Sequence, residues 1–484
     1  MNLRFSFHIF GNFMKFLGLL MFVPAIISLL YKENDIWTFV ISALFTSLFG
    51  FILETATKPG KSSKEIGRKE GFIIAALSWF GASLFGSMPY LIYGVFNNPV
   101  DAWFESVAGF TTTGATVLIN IEHLPNGMLF WRNFSQWLGG MGIIVLAIAI
   151  LPRLAVGGMQ LMGLEAPGPT TEKITPRIAE TAKKLWGVYV LLSVVLVIFL
   201  LFAGMPFFDS LLQSLSTLST GGFSPKNLSV GSYNSPVIEA VITIFMFIAG
   251  MNFVLLYWSL RGDFKKLRRN SEFKFYIFIN LFVVCIVSIE LWSTIYPSFL
   301  EALRYGSFQV ISISTGSGFS TANYDIWPSF SQWFILLLMF LGGCAGSTTG
   351  SVKIIRIMVL FKRGFQELHK IIYPNAIMPI RVNSKPISDD IVSSITSFFL
   401  IYIFIFLVST LIVLAAEDLP ILTAISACAA TLGNVGPGLG QVGPTGNYSD
   451  LTSFTKIILT FLMIIGRLEL FTILVIFTPA FWRK

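Results

Sequence analysis

Charge is scarce in this sequence. Of its 484 residues only 12% are Asp, Glu, Lys or Arg, while 54% are hydrophobic. A soluble domain carries about 25% charged residues, so a soluble multidomain fold is excluded. Uncharged runs such as Leu185–Phe208, Ile277–Ile289 and Ser393–Ala416 make up the excess, and about 20 apolar residues cross the hydrocarbon core as a helix. Cysteine is scarcer still. Cys285, Cys344 and Cys428 are odd in number and form no C-x-x-C, which excludes a disulfide framework and a thiolate zinc site. His8, His123 and His369 lie far apart and offer no metal signature. No H-E-x-x-H, G-x-S-x-G or Walker pattern occurs, so a membrane enzyme ranks last among the functional classes. No A-x-A-like site follows the apolar stretch Phe16–Leu30, which therefore reads as a retained first spanning helix rather than a cleaved leader.

The few charges are unevenly placed. The net charge is +8, but this is not a nucleic-acid footprint. The basic residues fall in alternate loops: Lys58, Lys61, Lys64, Arg68 and Lys69; Lys173, Arg177, Lys183 and Lys184; Arg261, Lys265, Lys266, Arg268 and Arg269; Lys362, Arg363, Lys370, Arg381 and Lys385. The intervening loops hold only Lys226 and Arg304. This is the positive-inside pattern, and it assigns the basic loops and both termini to the cytoplasm.

The hydrophobic pattern implies an all-α polytopic membrane protein. Two leading transmembrane helices occupy residues 1–57, and a longer unit then recurs over 71–152, 184–260, 272–361 and 390–482. Each unit reads as an outer helix, a short amphipathic segment, a Gly/Thr/Ser-rich turn and a second helix, for ten spanning segments in all. The short segments of nine or ten residues would cover roughly 14 Å, under half a bilayer. Non-helical backbone at that depth is tolerated only when buried or lining an aqueous cavity. Four such loops at matching positions predict one shared cavity with pseudo-fourfold symmetry.

The turns align as Thr111-Thr112-Thr113-Gly114, Ser219-Thr220-Gly221-Gly222, Thr315-Gly316-Ser317-Gly318 and Gly433-Asn434-Val435-Gly436. Glu105, Gln213 and Gln309 each stand nine residues before their glycine, whereas the fourth unit has Ala427 there. Gly316 and Gly433 are therefore the rival choices for the last two registers. A dehydrated alkali cation must regain its ligands from oxygens, and converging backbone carbonyls can supply them. Glycine accepts the unusual dihedrals this demands, Thr and Ser hydroxyls add oxygens, and the short helices aim their negative C-terminal ends at the cavity. Asp101 and Asp209 suit the opposite ends. The plain alternative, ordinary Gly-rich linkers, does not explain four copies about 100 residues apart.

On these segments, and on Phe104–Val117, Leu215–Ser224, Leu341–Arg356, Ala430–Gly440 and Gly466–Arg483, the chain resembles the TrkH/KtrB/HKT superfamily of potassium transporters over nearly its whole length. The two leading helices match the TrkH branch. The resemblance implies K+ bound in the filter, filter glycines at Gly114, Gly222, Gly318 and Gly436, and a homodimer with one pore per protomer. It also implies a cytosolic nucleotide-binding ring of the TrkA type and a place in the bacterial inner membrane. In relatives of the plant HKT type a serine at the first-repeat position accompanies sodium preference.

Leu341–Gly350 interrupts the second helix of the third unit. Gly342, Gly343, Gly346 and Gly350 break it, and Ser347, Thr348 and Thr349 need a wet or proteinaceous lining, so a gate loop below the filter is expected. Gly139-Gly140-Met141-Gly142 reads instead as small-residue helix packing. Lys353 and Arg356 read as solvated or headgroup-facing residues. Arg467, expected near the middle of a final helix over Leu451–Phe481, needs water or a partner. Glu469 is two residues away and cannot face it on a helix. The expectation is a charge in the pore below the filter, and a secondary transporter coupling potassium to sodium or protons remains the alternative to a channel-like pore.

Overall fold

The computed structural model describes residues 2–58, 67–149, 174–376 and 378–483. Lys61, Lys64 and Lys173, and the end of the first unit at 152, lie outside the described residues. The described part is helical, apart from a short antiparallel pairing of Arg381–Val382 with Lys385–Pro386. Among the described residues, six helices are long and apolar enough to cross a membrane: Leu3–Tyr31, Ile36–Ala56, Lys69–Tyr93, Glu180–Phe202, Ser271–Thr294 and Asp389–Ala416. The two leading helices pack backbone to backbone. A Cβ on Gly50 would stand 2.5 Å from Lys15 N and one on Gly18 2.7 Å from Ser47 N, the close approach that small residues permit between membrane helices.

Each outer helix is followed by a short helix that ends in the Gly-rich turn: Pro99–Phe110, Phe207–Ser219, Phe299–Ser314 and Ile421–Leu432. Pro99 at the first turn and the side-chain caps Asn98 and Ser298 start two of them, where unpaired N–H groups need acceptors. The last turns of all four are buried.

The second helices depart from the sequence expectation. The helix expected over Pro236–Leu260 is two, Pro236–Ala249 and Phe253–Leu260, bent by 109°. The final helix is also two, Ser453–Arg467 and Phe471–Phe477, bent by 104°. The third unit is split into Ser329–Leu338 and Ile354–Ile372 by the Gly-rich segment. Only in the first unit does the second helix, Asn126–Ala149, run through unbroken. The reasons are local. Asn252 bonds Val254 N and Leu255 N through its side chain and starts a new helix. Glu469 and Leu470 adopt positive φ of 56° and 42°, which no right-handed helix accommodates.

Candidate ion pathway

The four turns share one backbone trace. Thr112, Thr220, Gly316 and Asn434 have φ of 53°, 53°, 67° and 54°, and two residues later Gly114, Gly222, Gly318 and Gly436 have φ of 78°, 80°, 72° and 99°. Gly436 is thus the counterpart of the other three glycines. Gly433 has φ of −79° and caps its helix, as Thr111 and Thr315 cap theirs.

The turns also meet edge to edge. A Cβ added to Gly114 would lie 2.1 Å from Gly221 O, one on Gly222 2.0 Å from Ser317 O, one on Gly318 2.1 Å from Val435 O, and one on Gly436 2.6 Å from Thr113 O. Each glycine is crowded by the carbonyl just before the corresponding glycine of the next repeat. The series runs one to two to three to four and back to one, a closed collar. Positive φ and absent space both require glycine here.

Three hydroxyls expected to add ligand oxygens are bonded backwards. Thr111 Oγ1 donates to Val107 O (2.6 Å), Ser219 Oγ to Leu215 O (2.9 Å) and Thr315 Oγ1 to Ile311 O (2.7 Å). They tighten the helix ends. Gly221 O likewise accepts from Gln136 Nε2 at 2.6 Å. Thr112 Oγ1 is buried with no partner among the described residues.

The residues nine before each glycine brace the exit from the turn. Glu105 accepts from Val117 N at 3.0 Å. Gln309, with its amide oriented to accept, takes Thr321 N at 2.8 Å. Both donors lie three residues beyond the glycine. In the second repeat that position is Pro225, which has no N–H, and Gln213 donates to Ser224 Oγ instead (2.9 Å). In the fourth, Ser426 replaces Ala427 in the role, accepting from Leu439 N at 2.8 Å. Glu105 is also paired with Arg132, Nη2 to Oε1 2.8 Å, both fully buried. The sequence contained both residues but no signal that they meet.

Beneath the collar lies the Gly-rich segment of the third repeat. Gly342 N donates to Val352 O, Gly343 N to Thr349 Oγ1, and Cys344 N to Gly250 O. Ala345 N donates to Glu272 Oε1 and Phe253 N to Gly346 O. Its far end presses on the turns: Thr348 Oγ1 donates to Leu218 O (3.1 Å), Ser351 Oγ to Gly433 O (2.8 Å), and a Cβ on Gly350 would stand 2.3 Å from Gly433 O. Ser347 Oγ and Thr349 Oγ1 are 2.8 Å apart. Protein groups, then, line the polar segment.

Arg467 is the last residue of its helix half, not the middle of a continuous helix. It is 2% exposed. Its Nη1 donates to Thr348 O at 2.6 Å and its Nη2 to Gly139 O at 3.2 Å, so the guanidinium bridges the loop and the first repeat. Among the described residues it has no carboxylate partner. Glu469 turns away to Arg356, 2.5 Å from Nη2. The reading of Lys353 and Arg356 as solvated or headgroup-facing residues is overturned. They are 7% and 3% exposed, Lys353 Nζ donates to Thr349 O at 2.5 Å, and Arg356 lies over the Phe398 ring at 3.9 Å. Burial required partners: for Lys353 they come from Thr349, four residues before it, and for Arg356 from Glu469, 113 residues away. Gly139 and Gly140 pack as expected, facing Phe110 O and Ser219.

A family model described as "TrkH: Cation transport protein" matches residues 37–484. The chain belongs to the TrkH family of cation transport proteins. It is 42% identical to the Trk system potassium uptake protein TrkH of Salmonella typhimurium over 470 residues, 96% of each chain. It is 40% identical to the protein of the same name from Halomonas elongata, over the full length of both. The crystal structure of the potassium transporter TrkH from Vibrio parahaemolyticus superposes with a TM-score of 0.92 at 36% identity, covering both chains completely. Family membership makes this a multi-span transport protein rather than an enzyme.

Proposed function

We propose that this chain is a potassium uptake protein whose ions pass, down their electrochemical gradient, through a channel-like pore along the axis of the four turns. The observation that carries the reading is the collar: four backbone segments with one dihedral pattern, closed on themselves, at the C-terminal ends of four short helices. Such ends carry partial negative charge and favour a cation. Thr111–Gly114, Ser219–Gly222, Thr315–Gly318 and Gly433–Gly436 form the filter, and carbonyls not engaged elsewhere serve the ion. The names of the relatives support potassium as that ion.

Gly342–Gly350 and Arg467 act as the gate. The supporting geometry is the donation from Arg467 to Thr348 O beneath the collar, where a fixed positive charge opposes a cation. In this reading the repeats occupy 71–152, 184–260, 272–361 and 390–482, behind two leading helices at 1–57. Both termini are cytoplasmic in a bacterial inner membrane. The family resemblance supports a homodimer regulated by a cytosolic TrkA-type nucleotide-binding subunit.

Broken helices are also a mark of coupled carriers, and the two bent pairs favour a potassium–sodium or potassium–proton transporter as the second reading. Reconstituted liposomes decide between them. A pore gives rubidium and potassium flux that follows the potassium gradient and excludes sodium, whatever pH or sodium gradient is imposed. Uptake against a potassium gradient driven by either of those gradients would replace the pore with the carrier, and absence of potassium flux would end both.

A further inference from the structure

A cation pathway is ordinarily approached through acidic or neutral surroundings. The vestibule in front of the collar here is different. It is lined by the collar glycines Gly114, Gly222, Gly318 and Gly436 and by surrounding loop residues, and among the described residues its only charged lining residues are Arg132 and Lys226. Arg132 is neutralised: buried, paired with Glu105 and donating to Ser224 O. Lys226 is half-buried and has no ion pair or side-chain hydrogen bond among the described residues.

Its position is held from three sides. Lys226 N donates to Ser224 Oγ (3.1 Å), beside the second turn, and Lys226 O accepts from Ser229 N (3.1 Å). Ser229 Oγ accepts from Ser320 N and Gly231 N donates to Ser320 O, joining the loop to the third turn. Asn227 Oδ1 accepts from Ile121 N (2.9 Å), joining it to the first. Lys226 is therefore carried on a braced segment, not a free loop. Two carboxylates stand near the rim without lining the vestibule. Glu122 accepts from Asn227 N at 3.4 Å, and Asp325 accepts from Gly440 N at 2.8 Å.

We propose that Lys226 is a fixed positive charge at the pore mouth that lowers cation access to the collar, so that uptake at a given potassium concentration rises with the ionic strength outside. The inference rests on the pore reading above. In water at about 10 mM salt, a unit charge taken at roughly 10 Å from a passing cation changes the local cation concentration by up to about twofold. Low-dielectric walls focus the field and raise this, and about 1 M salt abolishes it. The effect belongs to access, and selectivity is left to the collar.

The test is potassium flux at low external potassium in liposomes, with N-methylglucamine chloride setting the ionic strength. Expected is a rise of about twofold for Lys226→Gln and about fourfold for Lys226→Glu at 10 mM. Lys226→Arg should match wild type, and all four proteins should converge at about 1 M. Lys226→Cys gives a control on one folded protein: an external cationic thiol reagent should restore low flux and an anionic one raise it. Equal flux from all variants and adducts at low salt, with potassium-selective flux intact, would overturn this inference alone. Wild-type protein without potassium flux would overturn the pore reading, and this inference with it.

Discussion

The collar and the layer beneath it are built from the same four repeats and yet have opposite characters. In the collar the repeats are interchangeable: the same two positive-φ positions and the same crowding of each glycine by its neighbour's carbonyl. One layer down they differ. The first repeat keeps a continuous helix, the second and fourth bend by more than 100°, and the third opens into a loop that reaches across to Leu218, Gly250 and Gly433. A site that must surround one ion demands equal contributions from every repeat. A barrier that must block one axis needs a single element to cross it, with its neighbours bent to make room. On the reading proposed above, the symmetric layer is the one that holds the ion and the asymmetric layer the one that obstructs it.

The most severe way to break this comparison is to give the collar a side chain. Gly222→Ala places a methyl 2.0 Å from Ser317 O at a φ of 80°. It is expected to abolish potassium-selective flux, at least tenfold in rubidium uptake. Gly436→Ala and Gly114→Ser should likewise degrade the potassium-over-sodium ratio. Gly433→Ala meets Met339 O and Ser351 Oγ, contacts of the lower layer. It should change the rate while keeping the ratio. Loss of selectivity at Gly433 but not Gly436 would reverse the register.

Arg467→Ala acts on the lower layer alone. Removing the guanidinium from Thr348 O and Gly139 O should raise potassium flux severalfold at unchanged selectivity and, if the proposed cytosolic subunit regulates this chain, weaken dependence on it. A folded variant with wild-type or lower flux would relocate the barrier.

The third effect is on stability. Arg356 and Glu469 join the helix leaving the loop to the break behind Arg467. Glu469→Gln alone leaves a buried guanidinium without its carboxylate and is expected to cost about 3–5 kcal/mol. Arg356→Met with Glu469→Gln should recover much of that. Thermal unfolding in detergent reads both, and additive losses would show that the two residues act independently.

The smallest effect concerns the repeat that stays straight. Glu33 accepts from Asn126 Nδ2 and Gly127 N at the start of the first repeat's second helix, and Asp35 is buried beside it. Burial, reinforced by the Glu33 charge, raises the Asp35 carboxyl above its ordinary 3.8. The folded state therefore binds this proton more tightly than the unfolded one. The contribution is fully present below the unfolded value and is lost as pH rises through the folded one. Asp35→Asn should remove that shallow decline from a melting curve series, and an identical pH profile would show that Asp35 does not cause it.

The elements that each repeat builds from its own residues were legible in the sequence. The short helices and turns announce themselves through length, glycine and the spacing of Glu105, Gln213 and Gln309. The glycine-rich break at Leu341–Gly350 was equally visible, since glycine acts locally. Less was legible where partners come from elsewhere. Nothing local marks Ser426 as the substitute brace, and Lys353 and Arg356 look like ordinary basic residues after a loop. Asn252 is a single polar residue in an apolar run, and the Glu469–Leu470 bend carries neither glycine nor proline to mark it.

By itself the sequence determined that this chain lives in a membrane, that it repeats a short helix ending in a Gly-rich turn four times, and that glycine occupies the positions a crowded turn would need. Composition and periodicity settle such matters because they depend on the solvent and on neighbours a few residues away. Only the tertiary structure decided which glycine joins the collar in the fourth repeat, that Arg467 ends a helix against Thr348 O, and that Glu469 serves Arg356. Those choices turn on contacts across more than 100 residues, where the cost of burying a polar group is met by a partner that no local pattern can name.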